Sequence, residues 1–153
     1  MEPMSVTIVD RGPQAVARQA RVTASAEEIF AVLSNPHRHH EFDGSGTLRP
    51  DVIGPRELQQ SDRFRVSMKM GVPYAITNTV TRLEPGRLIE WMHMGGHRWR
   101  FELEPQADGT TLVTEIFDYS TARSVRALEI IKAPERNAES IRASLIRLQQ
   151  LFG

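Results

Sequence analysis

Between residues 63 and 119 the chain alternates apolar and polar positions with a period of two, the mark of strands with one buried face. In Arg63 to Met70, Phe64, Val66, Met68 and Met70 oppose Arg63, Arg65, Ser67 and Lys69. Tyr74, Ile76, Asn78 and Val80 oppose a face of alanine and threonine, and Trp99, Phe101 and Leu103 oppose Arg98, Arg100, Glu102 and Glu104. Two segments read either way. Leu88 to Met94 buries Ile89, Trp91 and His93, or Leu88, Glu90, Met92 and Met94; the tryptophan face is preferred. Thr110 to Tyr119 is expected to bury Val113, Glu115, Phe117 and Tyr119, the set with more aromatic surface, against Leu112, Thr114 and Ile116. A one-residue slip would turn each face over.

The flanks supply the other elements. Val16 to Val22 reads as a first strand, and Leu48 to Ile53 as another. Ser25 followed by Glu28 forms a capping box opening a helix to about Ser34. Asn35-Pro36 repeats the start signal, giving a second short helix from His37 to about Phe42, ended by Gly44 and Gly46. Gly71-Val72-Pro73, Glu84 to Arg87, Gly95-Gly96 and Ala107 to Gly109 are turns that make the strands an antiparallel meander. Val125, Leu128 and Ile131 then mark a short helix, Pro134 breaks it, and Ala138, Ile141, Leu145, Leu148 and Phe152 recur at helical spacing. The expected class is α+β: a curved antiparallel sheet of about seven strands wrapped around a long terminal helix, with two short helices after the first strand.

Composition narrows the partners. A chain of 153 residues suits one domain spanning 1–153. Its 19 basic residues balance 19 acidic ones, so no net field draws it to nucleic acid. Cysteine is absent, which removes disulfides, thiolate zinc sites and cysteine nucleophiles. The stretch MEPMSVTIVDRGP lacks the apolar core of a secretion signal, and no apolar run approaches the ~20 residues of a membrane span. A cytoplasmic protein without integral membrane association, monomeric or homodimeric, is the expectation.

The opening Ala24 to Phe30, the Asn35-Pro36 helix running into Asp43 to Gly46, and the strands around Arg87 to Trp91, His97 to Trp99 and Thr111 to Glu115 resemble the START-like, helix-grip (SRPBCC) superfamily. Within it they look like the polyketide cyclase/dehydrase-like proteins of actinobacteria, and the likeness covers nearly the whole chain. It implies a cavity between the concave sheet and the terminal helix. On the alternation above, that cavity would be lined by Phe64, Met68, Tyr74, Ile76 and Asn78, then by Trp91, His93, Trp99 and Phe101, and by Glu115 and Phe117. Phe42 and the helical residues Leu128, Ile141 and Leu145 complete the expected lining.

Candidate chemistry follows from that wall. A carboxyl inside an apolar cavity needs a partner or a proton, so Glu115 either pairs with an arginine or forms a polar group with His93, Tyr74, Asn78 and Trp99. The triplet His37, His39 and His40 does not point to a metal: on an α-helix only 37 and 40 share a face, and the histidines are expected partly exposed with Phe42 as the anchor. His40, Phe42 and Asp43 would lie near the cavity mouth. His93 and His97 straddle a turn expected to be solvated. No cofactor fingerprint appears, and none is expected. The main reading is binding of a small hydrophobic molecule, lipid-like, aromatic or polyketide-like. Its rivals are a cofactor-independent cyclase/aromatase or dehydratase moving protons with Glu115, His93 or Tyr74, and a protein-interaction module whose cavity is closed.

Overall fold

The alternating segments pair into one antiparallel sheet. The computed structural model describes residues 5–153, the side chain of Met70 apart. Its elements run β1 (Val6–Val9), β2 (Ala15–Val22), α1 (Ala26–Leu33), a 3-10 helix (Pro36–Glu41), β3 (Leu48–Ile53), β4 (Arg63–Met70), β5 (Val72–Glu84), β6 (Leu88–His93), β7 (Arg98–Pro105), β8 (Thr111–Asp118), α2 (Val125–Ile130) and α3 (Ala133–Phe152). Among the described residues the sheet has eight strands in the order β1-β2-β8-β7-β6-β5-β4-β3. The strand missing from the sequence reading is β1. It is a four-residue edge strand whose Ile8 is largely exposed, so it carries no alternation a core would impose.

Local signals act where they stand. Ser25 Oγ accepts the Glu28 N–H at 3.2 Å while the Glu28 carboxylate accepts from Ser25, closing the capping box that turns the chain from β2 into α1. Irregularities at Leu48/Val52 and Val80/Arg82 break the ladders of β3 with β4 and β5 with β6, and bulges of this kind bend a sheet. Pro134 does more than end a helix. Lys132 adopts a left-handed conformation after α2, and Pro134 occupies the first turn of α3, where its missing N–H costs nothing.

The core lies between the concave face and the helices. Phe64, Val80, Ile89, Phe101, Val113 and Phe117 from the sheet meet Ile29 and Leu33 of α1 and Ile141, Leu145 and Leu148 of α3. All five alternations face as expected, the two ambiguous ones included, while the inward placement expected of Met70 lies outside the described residues.

The opposite face of β6 and β7, read as solvent-facing from sequence, carries a partly buried ionic ladder. Glu90 is only 1% exposed; it accepts from Arg100 at 3.0 Å and from Thr81 at 2.8 Å. Arg100 also pairs with Glu102, which Arg11 reaches from the β1–β2 connection at 2.9 Å. These bonds tie the edge hairpin across the middle of the sheet.

Candidate functional site

Between the concave face, the 3-10 helix and the first half of α3 lies a cavity of about 350 Å³. Twelve of the expected residues are on its wall: Phe42, Phe64, Met68, Tyr74, Ile76 and Asn78, with Trp91, His93, Trp99, Phe101, Glu115 and Ile141. Three are not. Phe117 is buried behind Trp99, ring centres 4.9 Å apart; Leu145 is wholly enclosed further along α3; and Leu128 packs part-buried against the core from α2.

His39 corrects the reading of the histidine triplet. It is buried, its ring lies 5.0 Å from that of Trp91 at an interplanar angle of 21°, and its edges meet Phe42 and Phe64. The reason is its spacing from Pro36 and Phe42. In a 3-10 helix residues three apart eclipse, so Pro36, His39 and Phe42 form one buried face; the sequence reading set His39 apart from the face of His37 and His40 but did not align it with the Phe42 anchor three residues on. Burial pulls the imidazole down to about 4, partly offset by the bond between Nε2 and the Leu33 carbonyl at 2.7 Å. His39 is therefore neutral at pH 7 and donates from Nε2.

Glu115 has no arginine. Its cross-strand neighbour on β2 is Arg18, which turns its guanidinium to the Ala17 carbonyl at 2.9 Å and toward a shallow groove beside Glu135 and Glu139. The Glu115 side chain is 6% exposed and its Oε1 has no hydrogen-bond partner. Loss of hydration first, and the nearby Asp43 carboxylate second, push its acidity well above the ordinary range. Asp43 is itself raised by burial, against the bonds it accepts from Ser45. Both effects on Glu115 favour the neutral carboxylic acid over the carboxylate inside the cavity.

His93 and His97 stand on the wall with rings stacked at 4.2 Å, so the expected solvated turn is instead part of the site. The Nδ1 of His93 accepts the Gly95 N–H at 2.9 Å, which places the ring proton on Nε2. Burial lowers both imidazoles, His97 to about 4 with a further push from His93.

The loop after the 3-10 helix closes one side. Gly44 donates to Ser144 Oγ at 2.7 Å and lies so near α3 that a Cβ there would sit 2.5 Å from the Ser144 nitrogen. Arg147 donates to the Asp43 carbonyl, fixing the same loop to the helix. Sequence reasoning missed the polar part of the wall on α3: Asn137, Ser140 and Ser144 flank Ile141 at helical spacing, but a search for an apolar stripe passes over small polar residues. Among the described residues no group of three or more His, Asp or Glu side chains is placed to hold a metal ion.

A curved sheet gripping a terminal helix around an internal cavity defines a helix-grip protein with a ligand-binding fold. The chain belongs to the family described as polyketide cyclase / dehydrase and lipid transport, which it matches over residues 13–153. It is 42% identical over 154 residues to uncharacterized proteins of two Mycobacterium tuberculosis strains, a match covering 97% of this chain and 69% of each of them. Among solved structures it superposes on a Rhodobacter sphaeroides protein with a TM-score of 0.73 at 16% identity, covering 96% of this chain and 97% of the other. An Arthrobacter aurescens protein gives 0.74 at 16% identity, covering 95% and 90%. The Aha1 dimer of Colwellia psychrerythraea gives 0.62 at 16% identity, covering 90% and 95%. At this identity the three structures share the fold and nothing more specific.

Proposed function

We propose that the protein binds one small, largely apolar molecule, aromatic or lipid- or polyketide-like, in the cavity between the sheet and α3. One observation carries this reading: an aromatic and aliphatic wall of Phe42, Phe64, Met68, Trp91, Trp99 and Phe101 surrounds about 350 Å³ that side chains leave unfilled. That volume falls at the lower end of the range for small-molecule sites, roughly 300–1,000 Å³, and the wall has the usual makeup of apolar surface with a few polar groups. A closed core serving only a protein partner would not keep such a space. Among the described residues no helix is long and apolar enough to cross a membrane.

Titration with the neutral probe N-phenyl-1-naphthylamine, followed by its fluorescence, tests the reading. The wild type binds one equivalent, Trp99→Ala and Met68→Ala weaken binding about tenfold, and the surface variant Glu27→Gln leaves it unchanged. Equal affinity in all four proteins would contradict it. The buried carboxyl of Glu115 beside Asp43, its acidity pushed up by burial, also favours a second reading, proton transfer to a bound substrate in a cofactor-independent cyclisation or dehydration. In that case Glu115→Gln abolishes turnover while sparing affinity.

A further inference from the structure

The wall of the cavity is mostly apolar, with polar side chains at Asn78, the His93 and His97 pair and the α3 residues Asn137, Ser140 and Ser144, and the carboxyls of Glu115 and Asp43 line the same space. Glu115 is the deeper of the two, 6% exposed, with one oxygen unpartnered and its only cross-strand cation turned away. A buried polar group left in this state calls for a partner, because an unmade hydrogen bond in an apolar setting costs more than a made one gains. No neighbouring polar group, Asn78 and the Nε2 of His93 included, makes a hydrogen bond to that oxygen. Asp43 is engaged with Ser45, His39 with Leu33, and His93 Nδ1 with Gly95. The partner must come with the ligand.

The chemistry of the pair restricts what the ligand brings. A carboxylate or phosphate head would add negative charge beside two acid groups in a low-dielectric space. The nearest free cation on the wall, Arg136, stands exposed at the rim on the first turn of α3, where water weakens its pull. A ketone or other uncharged carbonyl accepts one hydrogen bond without bringing charge.

We infer that the cavity selects ligands carrying an uncharged carbonyl at their inner end, held by a hydrogen bond from the carboxyl of Glu115. This rests on the cavity being the binding site, and the test separates the two. Four naphthalenes of one ring size serve as probes: 2-acetonaphthone, 2-naphthoate, 2-naphthylmethylamine and 2-ethylnaphthalene. Binding to the wild type, Glu115→Met, Arg136→Gln and Glu27→Gln is followed by quenching of the Trp91 and Trp99 fluorescence. The carbonyl stretch of bound 13C-labelled acetonaphthone is read by infrared difference spectroscopy. Methionine preserves volume and removes the orphan polar group, so this variant folds.

The expected result is that Glu115→Met weakens acetonaphthone about tenfold, leaves ethylnaphthalene unchanged or tighter, and returns the red-shifted carbonyl band to its position in an apolar solvent. The surface variant Glu27→Gln changes neither, and Arg136→Gln does not separate acetonaphthone from ethylnaphthalene. Tightest binding of naphthoate, lost in Arg136→Gln, would overturn the inference by placing an anion at the rim. Tightest binding of the amine would overturn it by showing an ionised Glu115 that reads a cation. An unshifted carbonyl band, or equal acetonaphthone affinity in wild type and Glu115→Met, would do the same while leaving the cavity reading intact. Failure of all four probes to bind would contradict the cavity reading and the inference together.

Discussion

The imidazole of His39 lies almost parallel to the indole of Trp91, ring centres 5.0 Å apart, and its Nε2 reaches the Leu33 carbonyl at 2.7 Å. One side chain therefore joins the C-terminal end of α1, the 3-10 helix and the floor of the cavity. Stacking uses the ring face, and the hydrogen bond uses its edge.

Replacing His39 by alanine removes both contacts and leaves the Leu33 carbonyl without this partner. The expected loss of stability is about 2–4 kcal/mol, typical of a large buried ring cut to alanine plus a broken hydrogen bond. Urea unfolding at pH 7.5 reads it directly. A loss below ~1 kcal/mol would show that the ring is not part of the core.

Acid should destabilise the fold through its buried imidazoles. His39 and His97 are held down to about 4 against an ordinary 6.5, so the unfolded chain binds more protons than the folded one between those values. Their contribution is complete above pH ~6.5 and drains away as pH falls toward ~4, each histidine adding a slope of at most ~1.4 kcal/mol per pH unit. Stability measured across this window should fall less steeply in His97→Gln than in the wild type, and proton NMR should show His97 neutral at pH 5.5. An imidazole already charged at that pH would refute the prediction.

Glu115 works in the opposite direction. Its folded acidity is raised, so its contribution is whole below the unfolded value near 4.5 and is lost as pH rises through the folded value. Glu115→Gln should therefore stabilise the protein relative to the wild type, and the difference should widen with pH above ~4.5 by up to ~1.4 kcal/mol per unit. Paired chemical denaturation curves at several pH values check this. A difference that shrinks with rising pH would mean that Glu115 is ionised and paired.

Gly44 is required for close approach, not for an unusual backbone angle, since positive φ belongs to Gly46 in this loop. A methyl group there meets the Ser144 nitrogen and the Ala143 Cβ at 2.5 and 2.6 Å, and the helix backbone has nowhere to go. Gly44→Ala should cost about 1–3 kcal/mol by overpacking and weaken probe binding, whereas Gly86→Ala in an open turn should leave binding untouched. Calorimetric melting of the two variants compares them.

Much of the architecture was legible because alternation is a direct imprint of burial. Trp99 and Phe101 were placed on the concave face by period alone, and Trp91 and Glu115 by period together with a preference for the more aromatic face. His39 was not, since a polar residue gives no apolar period to follow, although its position three residues before the Phe42 anchor puts it on the buried face in either a 3-10 or an α-helix. The ladder around Glu90 escaped for another reason. Period-two reading assigns charged residues to water, and only the three-dimensional neighbours Arg100 and Thr81 reveal that Glu90 is enclosed. Strand β1 was hidden by being short and open on its outer side.

Native mass spectrometry of the protein as purified, with identification of any small molecule released on denaturation, tests the central claim most directly. The account predicts either a bound apolar compound at one per chain or a bare protein that takes up one equivalent of N-phenyl-1-naphthylamine and melts at a higher temperature with it. A bare mass together with no uptake and no shift in melting would contradict it.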